Sequence, residues 1–230
     1  MARALWSGSI SFGMVNIPVK LYPATGSHTV HFHLLHQECK SRVKYQVFCP
    51  VHEKVISRSD LVKGYEYARN QYALVTEEDF ESLPVPSRSA IELASFVELE
   101  DVDPIYFDQS YYLEPDEAGK KAYSLLVRAL KEKLLVGIAK ITLRNQERIC
   151  ALRPREGALI LSTLHYHDEI RELPAGIPES IELSERELHM AHTLIDLLAA
   201  EGFHPGEYRD AYKEALMALI ERKIQGQEVA

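Results

Sequence analysis

Cysteine is scarce in this 230-residue chain: Cys39, Cys49 and Cys150 are the only three. So small and odd a number in a chain this long cannot form a disulfide framework. Long hydrophobic runs are also missing, and apolar stretches of a few residues fall well short of the ~20 that cross a bilayer as a helix. The opening Met1-Ala2-Arg3-Ala4-Leu5-Trp6 lacks the apolar core of a signal peptide, so the expected compartment is the cytoplasm. No G-x-x-x-x-G-K-[ST] loop, G-x-G-x-x-G turn, G-x-S-x-G elbow or H-E-x-x-H helix occurs, which removes the best-marked phosphate, dinucleotide, esterase and metalloprotease chemistries. Cys49-Pro50-Val51-His52 is not the P-C-x-x-C of a zinc deaminase, and no His-x-Glu precedes it. Glu98, Glu100, Asp101 and Asp103 are close in sequence, but they lie in a generally acidic stretch and read as a solvated face. Nothing nominates an active site, and the expectation is a protein that is not an enzyme.

What is present begins with charge. The net charge is −8, which argues against a polyanionic partner until its distribution is considered. Residues 1–75 carry 9 Lys/Arg against 4 Asp/Glu, and residues 76–127 carry 3 against 13. Residues 128–160 then carry 8 against 3, and residues 161–230 carry 6 against 14. A fold that unites the two basic blocks would offer a polyanion one positive surface on an otherwise acidic body.

The first half reads as strands. Leu5 to Phe12, and then Val15, Ile17, Val19 and Leu21, alternate with a period of two across a turn at Gly13. Further strands are expected over 30–34, 42–48, 72–75, 91–99 and 110–113, and Pro18 suggests an edge strand or a bulge. Thr76-Glu77-Glu78-Asp79 marks the start of a short helix ending near Leu83. Ala122, Leu125, Leu126, Ala129, Leu130 and Leu134 form one apolar helical face. Strands over 136–143 and 148–153 then make a hairpin with a polar, partly basic tip at Arg144-Asn145-Gln146-Glu147, and a strand over 158–164 follows. Past residue 180 the character changes. Ser184 and Glu187 form a capping box for a helix bearing Leu188, Ala191, Leu194, Ile195 and Leu198, with Gly202 as its stop. A second helix after Pro205 carries Tyr208, Tyr212, Leu216, Leu219 and Ile220. These two amphipathic helices must pack on the strand-rich part or on a second copy of the chain.

The segment Trp6-Ser7-Gly8-Ser9-Ile10-Ser11-Phe12-Gly13-Met14-Val15-Asn16-Ile17-Pro18-Val19-Lys20-Leu21-Tyr22 resembles the opening of prokaryotic Ku. Four later segments agree in order: Gly64-Tyr65-Glu66-Tyr67 leading to Thr76-Glu77-Glu78-Asp79-Phe80, Ser110-Tyr111-Tyr112-Leu113-Glu114-Pro115, Thr142-Leu143-Arg144-Asn145, and Asp168-Glu169-Ile170-Arg171. The resemblance implies an α+β fold, with a β-barrel core and DNA-encircling bridge over 1–180 and a helical dimerisation arm over 181–230. It also implies a ring-shaped homodimer that threads double-stranded DNA ends and works with the ATP-dependent DNA ligase of bacterial end joining. Many relatives continue into a Lys-rich tail beyond the position matching Ala230, so what the resemblance implies is confined here to residues 1–230.

Candidate DNA contacts are Lys20, Arg42, Lys44, Arg144, Arg148 and Arg153, with Arg3 a weaker one. Arg144 and Arg148 flank a tip able to reach a groove. Tyr45, Phe48, Tyr111 and Tyr112 read as packing residues rather than a stacking platform. His36-Gln37-Glu38-Cys39 and Cys49-Pro50-Val51-His52 resemble a degenerate zinc ribbon, because ligands two residues apart chelate from one turn and two such pairs complete a tetrahedron. The alternative is a buried thiol or two beside exposed histidines. No cofactor is required by either reading, and four protein ligands would leave no open position for a hydrolytic water, so such a zinc would be structural. A protein-interaction module carrying a zinc ribbon, with no nucleic acid, is the competing function.

Overall fold

The computed structural model describes residues 3–27, 29–83, 89–177 and 181–226. The chain divides into two compact units, Met1–His28 with His33–Arg171, and Thr29–Phe32 with Glu172–Ala230. The boundary expected at residue 180 lies outside the described residues.

The first unit is built on a closed seven-stranded barrel. Its strands are β1 (Trp6–Phe12), β2 (Val15–Pro23), β7 (Ala90–Glu98), β8 (Phe107–Pro115), β9 (Leu135–Leu143), β10 (Gln146–Arg155) and β11 (Ala158–Leu164). Spatially they run β1-β2-β8-β11-β10-β9-β7, and a parallel β1–β7 contact closes the sheet on itself. Closure leaves no edge to protect. The alternation read in β1 and β2 points Ile10, Ile17, Val19 and Leu21 into the barrel, each no more than 1% exposed. Ile91, Leu113, Ile141, Leu152, Leu159 and Leu161 complete the interior.

Pro18 is not on an edge strand, since β2 pairs on both sides. Pairing with β8 starts at Val19↔Pro115, so Pro18 stands just past the last ladder position on that side. Its carbonyl accepts from the Asp116 N–H at 3.0 Å, and its missing donor costs no ladder bond there.

Helix α2 (Lys120–Lys133) plugs one end of the barrel with Tyr123, Leu126, Val127 and Leu130. The Tyr123 hydroxyl donates to the Leu113 carbonyl and accepts from the Leu159 N–H, both at 2.6 Å. Leu113 and Leu159 are register partners, so one phenol splices the β8–β11 ladder and ties α2 to it.

Between β2 and β7 the chain makes a long excursion with two small sheets, β3 (Val47–Cys49) with β4 (Lys54–Ile56) and β5 (Lys63–Ala68) with β6 (Gln71–Val75), and then α1 (Glu77–Ser82). None of its described residues from 24 to 83 is buried. The strands expected over 30–34 and 42–48 do not form: only an isolated bridge, Leu35↔Arg42, and the three-residue β3 appear. Period-two apolar patterning needs a sheet face to lie on, and here neither segment has one. Capping at Thr76 is as expected, with Asp79 and Thr76 bonding each other's backbone N–H.

In the second unit, α3 (Glu185–Leu198) has the Ser184–Glu187 capping box. It ends at Ala199, three residues before Gly202. The last helix, α4 (Ala211–Ile224), starts at the Asp210 cap, so Tyr208 precedes it. Neither helix contains a buried residue, and Leu194, Ile195 and Leu198 are 61%, 63% and 86% exposed.

Candidate nucleic-acid interface

The seven predicted DNA contacts fall in five places. Arg3 is exposed ahead of β1. Lys20 lies on the outside of β2, bound at 2.8 Å to Asp116 and opposite Glu114 in register. That hydrogen bond and charge hold the Lys20 ammonium above its ordinary range, so acidic neighbours already occupy this cation. Arg42 and Lys44 stand exposed in the excursion. Arg144, Arg148 and Arg153 lie on or beside β10, but not together. Arg153 borders a hollow near the α2 end with Glu98 and Glu100, five residues from Arg148, or ~17 Å along a strand.

Arg144 and Arg148 meet at the opposite, unplugged mouth. Strand β10 sends Cys150 and Leu152 inward, and the same row continues to Arg148, whose partner Ile141 is also buried. The loop to β9 is tighter than expected. Leu143 and Gln146 are already paired, leaving Arg144-Asn145 alone, with φ of 50° and 63°. That is the type I′ pattern that matches hairpin twist, natural for Asn145 and strained for Arg144.

Around these arginines is a pocket of about 240 Å³ whose walls include Trp6, Asp108, Gln109 and Tyr111. Trp6 can fold over β1 because residue 8 is glycine: a Cβ there would collide with the indole and with the Ser89 carbonyl. The Tyr111 hydroxyl donates to Gln109 at 2.8 Å. Burial raises the pKa of this phenol, with Asp108 adding to the effect and Arg144 and Arg148 opposing it. Thr163 supports the wall from β11, accepting from the Gln109 N–H at 3.1 Å and donating to Asp108 at 3.3 Å. Arg148 donates to Gln146 at 3.1 Å. Among the described residues, no carboxylate forms an ion pair with Arg144 or Arg148, whereas Lys20, Lys63, Lys120, Arg128, Lys140 and Arg155 all have one.

Sequence reasoning chose Arg144 and Arg148 but missed Trp6, Asp108 and Gln109, and it read Tyr111 as packing. Those residues come from β1 and β8, and only barrel closure brings them to β10. The usable signal was parity: Trp6 shares a row with Ile10, as Arg148 does with Cys150.

The two His/Cys pairs each form locally. His36 Nδ1 lies 3.3 Å from Cys39 Sγ, and Cys49 Sγ lies 3.3 Å from His52 Nδ1. The first pair sits in a turn closed by Leu35↔Arg42 with Lys40 at φ 55°, and the second tops the β3–β4 hairpin with Glu53 at φ 48°. Hydrogen bonding to Ser41 lowers the pKa of the Cys39 thiol. Cys39 is exposed and Cys49 half-buried, so neither is a core thiol, and among the described residues no three metal-ligating side chains converge. Cys150 is a core residue, and burial pushes its thiol far up.

Comparison with known proteins agrees with this architecture. Residues 11–190 match the family model of the Ku70/Ku80 beta-barrel domain. The chain is 47% identical over 227 residues to the non-homologous end joining protein Ku of Symbiobacterium thermophilum, covering 97% of this chain but 56% of that protein. Against the protein of the same name from Archaeoglobus fulgidus identity is 45% over 230 residues, covering 99% and 90%. Against that from Bacillus subtilis it is 40% over 232 residues, covering 99% and 74%. With a closed barrel in place and a family match over most of its length, the chain belongs to the Ku family.

Proposed function

We propose that this chain binds the ends of double-stranded DNA, without regard to sequence and without catalysing a reaction, in non-homologous end joining. The observation that carries the reading is a closed barrel of a Ku family member interrupted by an excursion over 24–83, none of whose described residues is buried. A segment of that length without a core of its own suits a strap that gains its contacts from a second molecule. Two chains then form a ring, with the straps as the bridge and α3 and α4 as the dimerising arms. Duplex enters such a ring only from a terminus, which explains selectivity for ends without base recognition. Arg42, Lys44, Arg144 and Arg148 are the proposed phosphate contacts, with Arg3, Lys20 and Arg153 peripheral. Phosphate contacts position the duplex and carry no sequence information. The bound ring then presents the end to the ATP-dependent ligase of the pathway, in the cytoplasm at the nucleoid.

His36, Cys39, Cys49 and His52 are the ligands of a structural zinc in this reading: each His/Cys pair lies together on its own turn at 3.3 Å, but among the described residues the two pairs do not converge into one site. A gel-shift titration at moderate salt tests the main proposal: linear duplex is shifted whatever its sequence. A chain that leaves linear duplex unshifted while still binding another protein would be an interaction module instead.

A further inference from the structure

The barrel mouth is more than a basic spot on the surface. It is concave, about 240 Å³, with two guanidiniums, one carboxylate and two aromatic rings on its walls. A guanidinium without an acidic partner offers paired N–H donors in a plane, a geometry matched to phosphate oxygens. The pocket sits where barrel interiors ordinarily end in apolar side chains, and Arg144 is held beside it at a backbone angle that disfavours any residue but Gly, Asn or Asp.

We propose that this mouth is a binding site for a single phosphate ester, held by Arg144 and Arg148, with the group it esterifies lying against Trp6 and Tyr111. The inference rests on the DNA-end reading for one possible source of the phosphate, a 5′-terminal nucleotide. A free nucleotide is the other source, and the chemistry of recognition is the same. Asp108 is the opposing charge, anchored by Thr163, and it limits affinity.

Trp6 is the chain's one tryptophan and lines the pocket, so its emission reports occupancy. The 230-residue chain is titrated with deoxyadenosine 5′-monophosphate at fixed ionic strength, with chloride as the control anion and calorimetry in parallel. A saturable response is expected. It should weaken roughly tenfold or more in Arg144→Gln and Arg148→Gln, since each removes a charge-assisted bond, and strengthen in Asp108→Asn. Blunt duplexes with 5′-phosphate or 5′-hydroxyl termini then identify the source: tighter binding and a larger Trp6 response with the phosphorylated end assign the site to DNA termini. Equal binding of the two duplexes beside a monophosphate response assigns it to a free nucleotide. No response by either method, or one indifferent to all three substitutions, overturns the inference even where duplex binding survives. Loss of duplex binding with an intact monophosphate response overturns the DNA-end reading and leaves the pocket standing.

Discussion

What separates Arg144 and Arg148 from Lys20 is what does not surround them. A surface cation beside a carboxylate, as Lys20 is beside Asp116, keeps its charge but adds less net positive potential than an unpaired one. The two mouth arginines have no such partner among the described residues. Reversing both, Arg144→Glu with Arg148→Glu, should weaken duplex binding about tenfold or more at about 0.1 M salt for every sequence tested, and flatten the salt dependence. Lys20→Ala should change binding far less. Gel-shift isotherms at several salt concentrations decide it, and equal effects at the two places would remove the distinction. Tyr123 matters to the scaffold. Tyr123→Phe leaves a buried N–H and a buried C=O to find each other, a loss of about 1–3 kcal/mol readable as a lower urea midpoint. Burial raises the Tyr123 phenol above its unfolded value near 10, so this contribution is complete below about pH 10 and lost as pH rises beyond it. The wild type should therefore lose more stability than Tyr123→Phe between about pH 9 and 11.

At the level of elements, legibility followed burial. The barrel strands and α2 were readable because each has one face in the core, which forces a periodic pattern on the sequence. The excursion was not: Phe32 and Leu34, and Val43 and Tyr45, alternate as in strands but all remain exposed, so their pattern does not report a face in the barrel core. The mouth pocket was half legible for a related reason, because parity tells which way Trp6 points but not which distant strand it faces. The starts of α1 and α3 were legible, since a capping box is local chemistry, whereas α4 begins past Tyr208 at the Asp210 cap. Ser184→Ala should cost α3 about 1 kcal/mol, seen as faster amide exchange over its first turn. Hydrogen bonds from Ser184 hold the Glu187 carboxyl below the ordinary range, so its contribution is present above the unfolded value and lost as pH falls through the folded one. Protection of the first turn should drop on that side, and Glu187→Gln should flatten the dependence. The two His/Cys turns make a separate prediction. Protein never exposed to chelator should carry close to one zinc per chain and melt at lower temperature once it is removed. A metal-free elemental analysis would leave the turns as hydrogen-bonded pairs only.

For the whole molecule, the exposed faces of α3 and α4 and the coreless excursion are the same problem twice. Helices of this length are marginal alone, and apolar faces this bare need a cover. A second copy supplies it in the proposed ring. Light scattering should give about twice 26.2 kDa at micromolar concentration, and a clean monomer that still binds DNA would end the ring proposal. The proposed ring requires acidic segments, such as the one containing Glu98, Glu100, Asp101 and Asp103, to face away from its lumen, which would reconcile a net charge of −8 with a DNA partner. The central claim is entry from an end, and competition tests it most directly. Labelled linear duplex is bound, and unlabelled linear DNA or a covalently closed circle of the same sequence and length is added. The proposed ring predicts that linear DNA displaces the label, that the circle does not, and that streptavidin on both termini makes linear DNA behave like the circle. Equal competition by circle and linear fragment would contradict threading, even for a protein that binds DNA well.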